Sequence, residues 1–168
     1  MKNLLMAAGA FALIATSGIS SAHADGNGAW VQQYGSYNGE ASAQRGKRNE
    51  ATTYQRGRSN EARTVQDGRR NSANTTQEGR FNRAFTDQLG RMNFSVTGQS
   101  GDRNDATTIQ TGESNISGTA QIGSGLKAVT EQSGNGNASG TIQAGHGHHV
   151  DTRQVGTGNV SLNIQSNR

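Results

Sequence analysis

The sequence predicts an all-β protein: a β-solenoid of about six 22-residue strand-turn-strand rungs that form two facing parallel sheets, as in a cross-β amyloid stack. Three observations support this prediction. Gln recurs at every eleventh residue, fixed small or polar residues alternate with variable ones between the glutamines, and aliphatic residues are scarce.

Residues 1–24 have the pattern of a secretory signal peptide. Lys2 precedes an apolar run from Leu4 to Ile14, and small residues follow as far as Ala24. This run is too short to span a bilayer, which argues against a membrane anchor. We therefore expect a secreted chain in which residues 25–32 form a short N-terminal segment, residues 33–164 form twelve 11-residue half-repeats and residues 165–168 form a tail.

The composition excludes a conventional apolar core. From residue 25 onward the chain holds only 18 Leu, Ile, Val and Phe residues, and the whole chain has no Cys and no Pro. Such a composition is typical of disordered chains, and an exported protein without disulfides must be stabilised in another way. The alternative is a low-complexity chain without a fold, but such a chain has no reason to keep a constant phase. Order is therefore expected to come from the repetition.

The repeat keeps one phase from the first Gln to Gln165. Gly follows two residues after Gln in all twelve complete units, and Asn follows five residues after Gln in ten of them. The first twelve glutamines are Gln33, Gln44, Gln55, Gln66, Gln77, Gln88, Gln99, Gln110, Gln121, Gln132, Gln143 and Gln154. The asparagines are Asn38, Asn49, Asn60, Asn71, Asn82, Asn93, Asn104, Asn115, Asn137 and Asn159. The glycines are Gly35, Gly46, Gly57, Gly68, Gly79, Gly90, Gly101, Gly112, Gly123, Gly134, Gly145 and Gly156.

Fixed residues at alternate places indicate β-strands with one constant, inward face. After Asn, the inward places hold mostly Ala or Ser, then Thr, then Gln. We expect seven-residue strands such as residues 49–55, followed by four-residue turns in which Gly adopts a positive φ. One such unit cannot return the chain to its start but two can, which gives the 22-residue rung.

Stacking of these rungs places the glutamines and asparagines in columns. Their side-chain amides are expected to hydrogen-bond to their copies in neighbouring rungs, while Ala, Ser and Thr keep the sheets close. Ordinary repeat proteins cap their ends, but here Gln33 already lies in register and only three residues follow Gln165. We therefore expect open ends that support head-to-tail growth into filaments, with the Gln and Asn columns as the assembly core.

The half-repeat resembles that of the curlin family, the subunits of the bacterial extracellular amyloids called curli. Residues 49–57 and 104–112 both read Asn-x-Ala-x-Thr-x-Gln-x-Gly, and the resemblance extends over residues 33–165. It implies a secreted structural subunit, major or nucleator, that polymerises into adhesive fibres at the cell surface and in biofilm matrix. It also implies partners: further copies of itself, another curlin subunit, an outer-membrane secretion pore and periplasmic helpers. The resemblance also implies that the Gln and Asn residues of these columns are the ones on which polymerisation depends.

Basic residues concentrate in the first part of the predicted stack. Residues 25–98 contain 11 Lys or Arg against seven Asp or Glu, and the residues beyond contain four against five. On neighbouring rungs they are expected to form a positive stripe that holds anionic polysaccharide, lipopolysaccharide or extracellular DNA. The alternative is a solvated face that keeps subunits soluble during export. The stripe includes Arg45, Lys47, Arg48, Arg56, Arg58, Arg69 and Arg70.

The sequence predicts no catalytic, cofactor or metal site. Carboxylates are scattered over outward places, and the cluster of His146, His148 and His149 lacks further ligands, which favours a turn variant over a metal site. A monomeric ice-binding or polysaccharide-binding solenoid is the second hypothesis, because Thr recurs from Thr53 to Thr152. This Thr column falls on the inward period, however, and adjacent threonines are too irregular to build a flat outer plane.

Overall fold

The computed structural model describes residues 26–167, in which there are thirteen β-strands and no helix. The signal peptide predicted for residues 1–24 lies outside the described residues. The strands are β1 (Gly28–Ser36), β2 (Gly39–Lys47), β3 (Glu50–Arg58), β4 (Glu61–Arg69), β5 (Ser72–Arg80), β6 (Arg83–Arg91), β7 (Phe94–Asp102), β8 (Asp105–Glu113), β9 (Ile116–Ser124), β10 (Lys127–Asn135), β11 (Ala138–His146), β12 (His149–Thr157) and β13 (Val160–Ser166).

The strands form two parallel sheets. The seven odd-numbered strands build the first sheet in sequence order, and the six even-numbered strands build the second sheet. Each strand pairs with the strand two further along the chain, so that every residue lies beside the residue 22 positions later, as Gln55 lies beside Gln77. The prediction of an all-β solenoid of about six rungs with two facing parallel sheets is confirmed.

The strands are longer, and the connections shorter, than the sequence pattern predicts. Strands β1 to β12 each have nine residues, and two residues separate consecutive strands. The expected seven-residue strands and four-residue turns are therefore wrong. The reason is that backbone pairing continues beyond Gln, so that Gly57 lies beside Gly79 and Arg58 beside Arg80. The repeated Gly lies within the strand, and the repeated Asn lies in the connection.

The core between the sheets is thin and mostly polar. In β3 the inward side chains of Ala51, Thr53 and Gln55 are buried, whereas the alternate side chains point outward. Among residues 26–167, Leu126 is the large aliphatic side chain with no exposed surface, and it lies in a connection at the edge of the stack. Because little apolar area is available, close packing of small side chains and satisfied hydrogen bonds must supply much of the stability.

Candidate assembly core

The glutamines form two continuous columns, one along each sheet. In every pair of neighbouring rungs, Nε2 of one Gln donates to Oε1 of the next, for example at 2.7 Å from Gln55 to Gln77. The contacts extend from Gln33 at one end of the first sheet to Gln165 at the other, where Gln143 donates to Gln165 at 3.1 Å. The structure thus brings all twelve predicted glutamines into these columns and adds Gln165.

Every Gln from Gln44 to Gln165 also joins the two sheets. Nε2 of Gln66 donates a second hydrogen bond to the backbone oxygen of Glu50, at the start of a strand in the opposite sheet, at 2.9 Å. Gln77 repeats this contact with the oxygen of Glu61, also at 2.9 Å. A Gln amide has two protons and an oxygen acceptor, so it can donate upward, donate across and accept from below. Each bond contributes about 1 kcal/mol net, and a fully bonded network avoids the penalty of burying amides without partners.

The asparagines lie at the two edges of the solenoid, in the connections between strands. Asn82 Oδ1 accepts from the backbone N–H of Asn104 at 3.1 Å, and its Nδ2 donates to the backbone oxygens of Glu78 at 3.0 Å and Gly101 at 2.9 Å. Direct amide-to-amide bonds are present only in some rungs, as from Asn115 to Asn93 at 3.1 Å. The Asn columns therefore bind mainly the backbone of the connections, in contrast to the Gln columns.

Two residues interrupt one Asn column. Leu126 is fully buried, and its N–H still donates to Asn104 Oδ1 at 3.1 Å, although its side chain returns no hydrogen bond. His148 follows one rung later, and its Nε2 is buried without a hydrogen-bond partner among the described residues. At the other edge, Asn27 extends the column by one position that sequence reasoning missed: Asn49 N–H donates to its Oδ1 at 2.9 Å.

The repeated glycines bend the strands where neighbouring rungs approach most closely. Gly68 has φ +131°, and a Cβ at this position would overlap the backbone oxygen of Gly90 in the next rung. All twelve predicted glycines have a positive φ. They lie inside the strands, so the expectation that they form the connections is corrected, because their backbone stays in the ladder.

The sharpest change of direction comes two residues after the Gly, at a place that sequence reasoning missed. The residue there adopts the left-handed conformation in every connection, for example Ser59 with φ 56°. In the last four connections this residue is Gly, and these glycines were the sequence signal that could have indicated the left-handed conformation. The earlier residues at this place are Tyr37, Arg48, Ser59, Arg70, Phe81, Met92, Arg103 and Ser114. Since side chains this different share one conformation, the pairing of the flanking strands imposes it.

The Thr column lies inside the core. Thr53, Thr108 and their equivalents are buried, and several of these hydroxyls have no hydrogen-bond partner among the described residues. Their methyl groups fill the space between the sheets, as the buried side chain of Val150 does near one end of the stack. No outward Thr plane exists in residues 26–167, so the structure does not favour the ice-binding or polysaccharide-binding alternative.

Charged side chains lie on the outer surface, and two carboxylates have shifted pKa values. Hydrogen bonds from Arg80 lower the pKa of Asp102, and the same contact raises the pKa of Arg80. Burial raises the pKa of Asp87, an effect that the nearby Arg63 partly opposes. Asp87 lies between Val65 and Ile109 on the outer face of the second sheet, which explains its desolvation. These groups act on stability and form no catalytic constellation.

Within residues 26–167 no group of three or more His, Cys, Asp or Glu side chains could hold a metal ion. The three histidines predicted to be a turn variant lie at the connection between β11 and β12. No helix of the described chain is long and apolar enough to cross a membrane.

The geometry defines a class of protein: a parallel, in-register β-solenoid with amide columns in a polar core, built like a short length of cross-β fibril. Comparison with known families identifies the repeat itself. The family model of the curlin associated repeat matches residues 46–74 and 68–101, which extend from β2 to β7. Residues 46–101 therefore carry curlin associated repeats, and the two matches support membership of the curlin family. No curated protein matches the chain.

Proposed function

We propose that this protein is a secreted structural subunit, with no enzymatic role, that self-assembles into curli-like extracellular amyloid fibres for surface adhesion and biofilm matrix. The observation that carries the proposal is the Gln ladder, which passes through every rung and reaches strands with a free edge. Neighbouring rungs within the chain already pair in the way that we propose for neighbouring subunits.

The outermost strands support head-to-tail growth. Within residues 26–167, β1 and β2 pair on one side only at one end, as do β13 and β12 at the other. Gln154 Nε2 uses one proton to bind the backbone oxygen of Ala138 at 3.0 Å, and the next rung would take the other. A second copy would continue both sheets with the same register. Such a heterologous contact does not close, so it produces filaments.

The Gln and Asn columns are proposed as the assembly core, and the in-strand glycines as the residues that allow rungs to approach. The family supports self-assembly into fibres, and the signal-peptide pattern of residues 1–24 supports secretion. By the same resemblance, we propose export through an outer-membrane pore with periplasmic helpers, and assembly with another curlin subunit at the bacterial cell surface.

Seeded polymerisation tests this function. Residues 25–168 would be diluted from denaturant and followed by thioflavin fluorescence with and without preformed fibre seeds, with electron microscopy and diffraction of the product. A lag that seeds abolish, and fibres with a ~4.7 Å meridional repeat, are expected. A β-rich chain that stays monomeric with seeds would contradict the proposal.

Variants in the same assay test the assembly core. Gln44 donates to Gln66 Oε1 at 2.7 Å and to the backbone oxygen of Gly28 at 2.9 Å. Gln44→Ala should therefore slow elongation, whereas Glu50→Ala on the outer face should change it little. Equal effects of the two substitutions would reject the role of the Gln column.

A further inference from the structure

The two edges of the solenoid differ in how their basic side chains are neutralised. At the edge where first-sheet strands end, the arginines have partners: Arg80 pairs with Asp102 at 2.6 Å, and Arg103 lies 5.6 Å from the Phe81 ring centre. At the opposite edge, where second-sheet strands end, there is a groove of about 370 Å³. This basic groove is lined by Lys47, Arg48, Arg69, Arg70, Arg91 and Met92.

Most of the arginines in the basic groove are not neutralised by the protein. Arg91 pairs with Glu113 at 2.6 Å. The exposed side chains of Arg48, Arg69 and Arg70 form no hydrogen bond, ion pair or ring contact with any residue from 26 to 167. The groove therefore holds concentrated positive charge that an external anion can balance.

Backbone pairing fixes the spacing of these cations. The N–H of Arg70 donates to the backbone oxygen of Lys47, and that of Met92 to the oxygen of Arg69, both at 3.0 Å. Lys47, Arg69 and Arg91 consequently occupy successive rungs, about 4.8 Å apart. The charges of Arg48, Arg69 and Arg70, whose side chains have no partner among residues 26–167, repel each other in such an arrangement unless an external anion lies beside them.

The two groove arginines that lie in the connections have the left-handed backbone conformation that is common to all connections. Arg48 and Arg70 have φ 56° and 58°, in the left-handed region, where Gly136 and Gly158 occupy the same column. A residue with a Cβ is strained in this conformation, so replacement of either arginine by glycine removes a cation without adding backbone strain. The chain places arginine where glycine fits with less strain.

We propose that the basic groove binds closely spaced phosphate groups of a non-nucleotide polyanion. Guanidinium groups bind phosphate through two parallel hydrogen bonds, and rows of cations one rung apart suit neighbouring phosphates of one chain. No aromatic side chain lines the groove, so it has no platform on which nucleobases stack. The inference goes beyond fibre formation, because binding requires only one edge of a single subunit.

Calorimetric titration of residues 25–168 with inorganic tripolyphosphate tests the proposal. The variants Arg48→Gly and Arg70→Gly remove one cation each and install the residue that the same column already carries at Gly136 and Gly158. Arg103→Gly is the matched control, because Arg103 has the same left-handed φ of 56° but lies at the opposite edge. Each groove variant should weaken binding about tenfold, and the control should leave it unchanged. Thioflavin assembly of all three variants verifies that they still form the solenoid.

Three results would overturn the proposal. The first is an equal loss, or no loss, in the groove variants and the control. The second is equally tight binding of polygalacturonate at the same ionic strength, which would show a cation patch without preference for phosphate. The third is tighter, base-dependent binding of a single-stranded oligonucleotide, which would indicate a nucleic-acid site. Because assembly is measured in parallel, loss of phosphate binding is distinguishable from failure to form fibres.

Discussion

The rungs up to β8 and the rungs from β9 onward share one core but differ at their edges. At the left-handed position the earlier rungs carry Arg, Tyr, Phe, Met or Ser, and the later rungs carry only Gly. The only interruptions among the predicted Asn positions, Leu126 and His148, also fall in the later part. By contrast, the Gln columns and the in-strand glycines are the same in both parts. The constant residues therefore specify the fold, and the edges are free to carry other properties.

The outer face of the first sheet changes in the same direction. Glu50, Arg56 and Glu78 give the earlier strands charge, whereas Ile116 and Ile142 are exposed large apolar side chains in the later strands. Beneath these residues the Gln column continues, although Ser replaces Ala at one inward place from Ser95 onward. One backbone thus supports a charged half, which includes the basic groove, and a largely uncharged half.

The largest expected effect compares an in-strand glycine inside the stack with its equivalent at the end. Gly68→Ala should cost more than about 4 kcal/mol, because the new methyl group would overlap the backbone of Gly90. Gly156→Ala should cost about 1–2 kcal/mol from backbone strain alone, since the nearest atom to its Cβ is Asn159 Nδ2 at 3.5 Å. Urea unfolding of the soluble chain measures both. Equal costs would show that close approach between rungs is not what requires glycine.

A smaller effect distinguishes the intact part of the Asn column from the interrupted part. Asn82→Leu should cost about 3 kcal/mol, because it leaves the oxygens of Glu78 and Gly101 and the N–H of Asn104 without partners. The reciprocal Leu126→Asn should change stability by less than about 1 kcal/mol, since new hydrogen bonds offset the lost apolar burial. Unfolding curves of the two variants give both values. If Asn82→Leu proves as mild as Leu126→Asn, the Asn column does not hold the connections.

The smallest effect is pH-dependent. Burial raises the pKa of Asp87 in the folded state, so the folded protein binds this proton more strongly than the unfolded chain. Stability from this group therefore increases as the pH falls through the raised pKa and levels off below the ordinary value. Asp87→Asn should stabilise the protein by a few tenths of a kcal/mol at neutral pH, after allowance for solvent screening, and the gain should vanish below about pH 4.

Asp102 supplies the opposite sign as a control. Because Arg80 lowers its pKa, its contribution to stability is present above the ordinary carboxylate range and is lost as the pH falls through the depressed value. Asp102→Asn should therefore be destabilising at neutral pH, and its effect should disappear in strong acid. Unfolding of both variants across a pH series checks the two signs. The same sign for both would contradict the assignment.

The sequence was sufficient to predict the architecture because two periods coincide in it. The alternation of fixed residues gave the inward face, and the constant spacing from Gln33 to Gln165 gave the rung. The strand length could not be predicted from the sequence. Glycine is typical of turns, whereas Gly57 continues the hydrogen-bonded pairing of its strand. The left-handed corner was also unreadable where it is occupied by Arg48 or Phe81, since tertiary pairing and not local preference sets that conformation. The role of Asn depended on backbone partners that only the folded structure places.

The most direct test of the account is elongation of wild-type seeds by Gly156→Ala compared with Gly158→Ala. Both positions have a positive φ, but a Cβ at Gly158 meets open space, whereas a Cβ at Gly156 would point toward the next rung. If subunits stack head to tail in the register of the interior rungs, Gly156→Ala should join seed ends and then stop growth, and Gly158→Ala should elongate normally. Equal elongation by the two variants would contradict the proposal that β12 receives the next subunit.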